Sequence, residues 1–289
     1  MPIETGKRDK SLITCILEAY GCLWHFRFQH ILISLFAFLP FCLAGYLGYL
    51  EPVLTGPDSR EGIPEGFQFS FFLLIATTFI WLVPSAILWH RLFLLGPEHF
   101  MRRKFWPLIS RSFHFSIKIL VFLGVILVLM FLLSSAVLMI LNQINLDQQG
   151  SVETVGSLEL TVYLSAAAII SLLGLAIGLR LSLAFAAQSI GKTLSFRSSW
   201  DLTRTLTGHM LFSLLIGVIP SLGIVTAVQF IVLRLTGLDL FAGWAGGREE
   251  QFLMIFALSP LMSLPLAFAC AQTSVFYRNC GACDFQEPS

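Results

Sequence analysis

Apolar residues fall in six long runs along the chain, Ile31 to Leu50, Phe69 to Leu88, Ile119 to Leu141, Thr161 to Leu179, Met210 to Leu233 and Phe252 to Ala271, with polar residues gathered between them. A helix needs about 20 apolar residues to cross the hydrocarbon core of a bilayer. Each run is longer than a buried strand, and none alternates apolar with polar in the period of two that a transmembrane barrel requires. The pattern predicts an all-α integral membrane protein with six transmembrane helices. The segments "EPVLTGPDSREGIPEGFQ" and "NQINLDQQGSVETVGS" are polar and punctuated by Gly and Pro, which reads as surface loop. The first apolar run is too long, and its charged lead too extended, for a cleavable signal peptide, so it is expected to stay in the membrane.

A second pattern precedes each odd-numbered run. "SLITCILEAYGCLWHFRFQH", "FWPLISRSFHFSIK" and "SFRSSWDLTRTLTGH" mix Ser, aromatic rings and cations, the composition of amphipathic helices lying at headgroup depth. Tyr20 aligns with Trp200 and Pro40 with Pro220 at one offset, while bringing Ser11 onto Ser195 takes a slip of about one helical turn. The even-numbered runs end alike, in "LFLLG", "LSLAFAAQSIG" and "LPLAFACAQ". These likenesses predict one membrane domain, 1–278, made of three repeats (11–100, 105–191 and 195–278) of an interfacial helix and two spanning helices, followed by a short tail, 279–289. Ser198 with Asp201 has the shape of a capping box, which predicts a helix start in the third lead-in.

Composition agrees: of the 289 residues 56% are hydrophobic and only 12% charged, where a soluble domain carries about 25% charged residues. A net charge of +1 leaves no global basic field for nucleic acid. The charges are segregated, however. Fifteen of the eighteen Lys and Arg fall in the N-terminal segment, the second and fourth connections and the tail; the remaining segments hold only Arg60, Arg234 and Arg248 beside ten acids. Positive residues stay in the cytoplasm, so both termini are expected there. Trp24, Arg27, Arg91, Arg102, Arg103, Lys104, Arg180, Lys192, Trp200 and Arg204 are the expected membrane-interface residues.

"AAQSIGKT", 186–193, has the loose spacing of a phosphate-binding loop. That loop's chemistry needs a buried strand before it and a Mg-binding acid elsewhere. Here it follows a spanning helix, and the expectation is that Gly191 ends that helix with Lys192 at the phosphate level.

The stretch from Ser195 to Pro220 resembles the Ser-x-x-x-Ser-Trp-x-Leu-Thr-Arg lead-in, followed by a spanning helix, of YciC-like bacterial inner-membrane proteins and of the membrane domain attached to some glycerophosphodiester phosphodiesterases; "LWHRLFLLG" is similar to a recurring segment of the same proteins. The resemblance implies a multi-pass protein of the bacterial inner membrane. This chain carries no soluble catalytic domain of the phosphodiesterase kind, so that activity does not follow.

Cys280 and Cys283 form a Cys-x-x-Cys, and the six histidines share the basic side. A zinc site needs four ligands, and no second cysteine pair exists. The spanning runs contain no Asp, Glu or Lys, which removes the carboxylates that commonly couple transport to ions. Gly174 and Gly178 offer a close-packing face, and Pro40, Pro84, Pro220, Pro260 and Pro265 offer kinks or a broken-helix site. The expected function is a non-catalytic membrane protein that scaffolds, assembles or regulates membrane partners, without a cofactor. The alternatives are a transporter or lipid-handling protein with a site between repeats and, more weakly, a metal-dependent membrane enzyme. Expected partners are the lipid bilayer and a membrane protein or bound lipid.

Overall fold

The computed structural model describes residues 11–54, 65–98, 172–192, 194–237 and 248–280, with 110, 113, 114, 116, 117 and 124 between them. Among these residues all regular structure is helical. In chain order the helices are α1 (Leu12–His25), α2 (Arg27–Tyr46), α3 (Glu51–Leu54), α4 (Phe67–Ile75), α5 (Trp81–Leu95), α6 (Leu172–Ser189), α7 (Phe196–Leu202), α8 (Thr207–Thr236), α9 (Arg248–Met262) and α10 (Leu264–Asn279). A π-helical segment, Ala76–Ile80, joins α4 to α5. Among the described residues five helical stretches are long and apolar enough to cross a membrane: Arg27–Tyr46, Phe67–Leu95, Leu172–Ser189, Thr207–Thr236 and Glu249–Asn279. The expected third span, Ile119 to Leu141, lies outside the described residues apart from Gly124, which is helical.

Which side chains face outward shows what surrounds these helices. Along α2, His30, Ile33, Ser34, Ala37 and Cys42 are buried, whereas Leu32, Phe36, Leu39 and Leu43 are exposed. Along α8, Met210, Ser213, Gly217 and Ser221 face inward, and Phe212, Leu215, Ile216, Ile219 and Leu222 face outward. Small and polar residues inside with large apolar ones outside suit a helix packed in hydrocarbon, where burying Leu gains nothing over lipid and small residues let backbones approach.

Local chemistry sets the ends of the elements. Ser11 Oγ accepts from Thr14 N–H at 3.3 Å and starts α1; Ser195 Oγ accepts from Ser198 N–H at 3.0 Å and starts α7. The expected start at Ser198 is corrected by this. Ser195 comes first in the Ser-x-x-Ser spacing and is extended enough (ψ 156°) for its hydroxyl to reach the first-turn amide, so Ser198 becomes the third helical residue. Helices α2 and α8 begin at Arg27 and Thr207 and carry Pro40 and Pro220 at the same point. The one-turn slip therefore falls within the lead-ins, where α7 is shorter than α1.

The even-numbered spans run past their apolar limits. Leu88 was the expected end of the second, yet α5 reaches Leu95; Leu179 of the fourth, yet α6 reaches Ser189; Ala271 of the last, yet α10 reaches Asn279. These extensions carry His90, Arg91, Gln188, Ser189, Gln272 and Ser274. Hydropathy ends a span at such residues, but neighbouring helices bury them here, and the backbone continues to the next glycine in two cases. Gly96 takes φ +82° and closes α5 on Leu92 C=O. Gly191 takes φ +87°, and Lys192 N–H bonds Ala187 C=O at 3.0 Å, a glycine-terminated helix end. A helix thus precedes Gly-Lys-Thr where a phosphate loop needs a strand.

The main core sits on these extensions. Leu88, Trp89, Leu92 and Phe93 of α5, Leu183, Ala186 and Ala187 of α6, and Phe268, Ala271, Val275 and Tyr277 of α10 pack with Cys15, Ala19 and Leu23 of α1 and Met210 of α8. One face of α1 is therefore part of the core, while Ile13, Leu17 and Trp24 on its other side are exposed.

Candidate functional site at the basic end of the bundle

The expected interface residues divide into two groups. Trp24 is 73% exposed, and Arg27 donates to Trp24 C=O at 3.2 Å with its guanidinium carbon 5.2 Å from that ring. Arg204 is exposed, and Lys192 completes the end of α6. Arg180 and Trp200 form a unit: the guanidinium carbon stands 3.8 Å from the ring centroid, and Ser199 Oγ donates to Arg180 C=O at 2.6 Å. Arg180 sits within α6, not at its C-terminal end, and it ties α7 down. Arg91 departs from expectation. It is 5% exposed and its Nη1 reaches Ser189 C=O at 3.4 Å, so it joins α5 to α6 inside the bundle rather than meeting headgroups. Arg102, Arg103 and Lys104 lie outside the described residues.

Replacing Trp200 with alanine removes a half-exposed cation–π contact of about 1 kcal/mol. The expected outcome is faster amide hydrogen exchange over 196–206 with little change in α2.

Behind this surface the buried polar side chains join helices. Ser34 Oγ donates to His30 C=O at 2.7 Å and shares a 2.7 Å bond with Ser263 Oγ, linking α2 to the turn between α9 and α10. His30 Nε2 donates to Pro260 C=O at 2.8 Å. Gln272 Nε2 donates to Met210 C=O at 3.1 Å, and Tyr20 OH donates to Gly217 C=O at 2.7 Å. Arg278 pairs with Glu18 at 3.0 Å, fastening the end of α10 to α1. Among the described residues two spans depart from regular α-helix, at the π-helical Ala76–Ile80 and at a turn on Ser263; Pro40, Pro84 and Pro220 lie inside α-helices. Pro260 and Pro265 each remove a backbone donor on either side of that turn, which two prolines five residues apart make hard to bridge as α-helix.

His90 Nδ1 and Ser274 Oγ, 3.0 Å apart, look at first like a base and a nucleophile. Ser274 Oγ, however, already donates its hydrogen to Cys270 C=O at 2.8 Å, so His90 must donate to it, and Ser274 is fully buried. The pair is a tie between α5 and α10. Among the described residues no three His, Cys, Asp or Glu side chains gather as metal ligands; Cys280 is described and Cys283 lies outside.

Sequence reasoning missed Ser34, Ser263, Ser274 and Gln272, although polar residues one turn apart within apolar runs mark an inward stripe. Gly174 and Gly178, offered for close packing, are half-buried; among the described residues close approaches occur at Gly45 under Phe252 and Gly217 under Phe268. Comparison of the chain with protein-family models, curated proteins and solved structures finds no match.

Proposed function

We propose that this is a non-catalytic multi-pass protein of the bacterial inner membrane that holds, assembles or regulates membrane partners, with six spans, three repeat units and both termini in the cytoplasm. The observation that carries the reading is the use made of the interior polar groups: Ser34, His30, Gln272, Tyr20, His90 and Arg91 each bond another helix. Such bonds fix a rigid body with a lipid-facing surface. The repeat reading is supported by the matched serine caps of α1 and α7, the matched starts and prolines of α2 and α8, and the glycine ends of α5 and α6. Lipid handling is the second reading, favoured by the turn at Ser263 beside His30 and Ser34.

Purification from native membranes into lipid nanodiscs, with identification of co-purifying proteins, lipids and metals, separates the two. A stoichiometric protein partner is the expected result. A selectively retained lipid with no protein favours the second reading and contradicts the first.

A further inference from the structure

We propose that the junction of α2, α5 and the α9–α10 turn binds one uncharged hydroxyl group, supplied by water or by a lipid. A carbonyl only accepts, so the bond from His30 to Pro260 C=O places the ring hydrogen on Nε2. In the neutral ring Nδ1 then offers a lone pair, and that atom is buried without a hydrogen-bond partner. Beside it stands Trp89, fully buried, whose ring centroid is 6.0 Å from that of His30 and whose Nε1–H, a donor only, also has no partner.

One buried ring thus needs a donor, and the ring packed beside it needs an acceptor. A hydroxyl supplies both at once, and two hydrogen bonds of about 2.9 Å through one oxygen span up to about 5.8 Å, the scale of the ring spacing. A buried donor or acceptor left unsatisfied keeps its full desolvation penalty, which drives occupation. Two further buried hydroxyls without partners extend the polar lining: Ser85, one turn before Trp89 on α5, and Ser259, one turn before Ser263 on the face that meets Ser34. His30, Ser34, Ser85, Trp89, Ser259 and Ser263 provide no cation for an anion and no carboxylate for a cation, so the occupant is neutral. The local turn at Ser263 places the site beside an irregular point in a span, and bilayer proteins build ligand sites at such points.

The test uses the full chain, labelled with nitrogen-15 histidine, in two kinds of nanodisc. One contains phosphatidylcholine alone, whose headgroup has no hydroxyl; the other adds diacylglycerol, which has one. The His30 Nδ1 resonance reports whether its lone pair accepts a hydrogen bond. An accepted bond in both nanodiscs identifies water, and one that appears only with diacylglycerol identifies the lipid hydroxyl. Trp89→Phe keeps the ring and removes the N–H, and in the occupied state it is expected to shift the His30 Nδ1 signal toward the unbonded value. The proposal is overturned by an unbonded Nδ1 in both nanodiscs, by hydrogen on Nδ1 instead of Nε2, or by a bonded signal that Trp89→Phe leaves unmoved.

Discussion

Gly217→Val is expected to keep α10 from seating against α8, so that little monodisperse protein is recovered from membranes. The ring of Phe268 occupies the place where a side chain on Gly217 would begin. Phe268 cannot easily retreat, because it is fully buried and its other contacts include the Tyr20 ring at 4.7 Å, while the Tyr20 hydroxyl is held by Gly217 C=O. Even Gly217→Ala is overpacked, at about 1–3 kcal/mol, and valine adds a branch that the site cannot take. Gly223 lies on the same helix with nothing near its absent side chain, so Gly223→Ala is the matched control and should leave Tm nearly unchanged. Equal Tm values for Gly217→Ala and Gly223→Ala would contradict the contact.

Trp89→Ala has the second large effect. Trp89 is the largest fully buried side chain among the described residues, and it lies in the core shared by α5, α6, α10 and α1. Removing so large a ring leaves a cavity that costs about 3–5 kcal/mol by analogy with other cores. Thermal unfolding in nanodiscs should show a marked drop for Trp89→Ala and a much smaller one for Trp89→Phe, which keeps an aromatic ring in place. If the two variants unfolded together, the N–H rather than the packing would dominate at this position.

Much of this arrangement was legible in the sequence, for a physical reason. Hydrocarbon imposes long apolar runs on any helix that crosses it, so Ile31 to Leu50 and Met210 to Leu233 announce α2 and α8 without help from packing. Gly191 was equally readable, because a helix commonly ends on a residue that tolerates positive φ. Hydropathy did not reveal the continuation of the even spans through His90, Gln188 and Gln272. Those residues look like places to leave the membrane until Ser274, Met210 C=O and their neighbours are brought alongside. Arg91 was misread for the same reason: its charge suggested a headgroup partner, and Ser189 C=O on another helix is the partner it meets. The close approaches at Gly45 and Gly217 depend on which ring lies opposite, which spacing within one helix does not encode. Likewise, the pairing of His30 with Trp89 joins two helices that are separate in sequence, so neither run alone marks a site.

The main core lies at the basic end of the bundle, which we propose faces the cytoplasm. Labelling intact cells with a membrane-impermeant maleimide tests it most directly, using single cysteines at the exposed positions Arg204, before α8, and Glu249, at the start of α9. Glu249→Cys should react in intact cells above the level of the parent chain, and Arg204→Cys only after lysis. Labelling of Arg204→Cys from outside intact cells, with Glu249→Cys protected, would contradict the account.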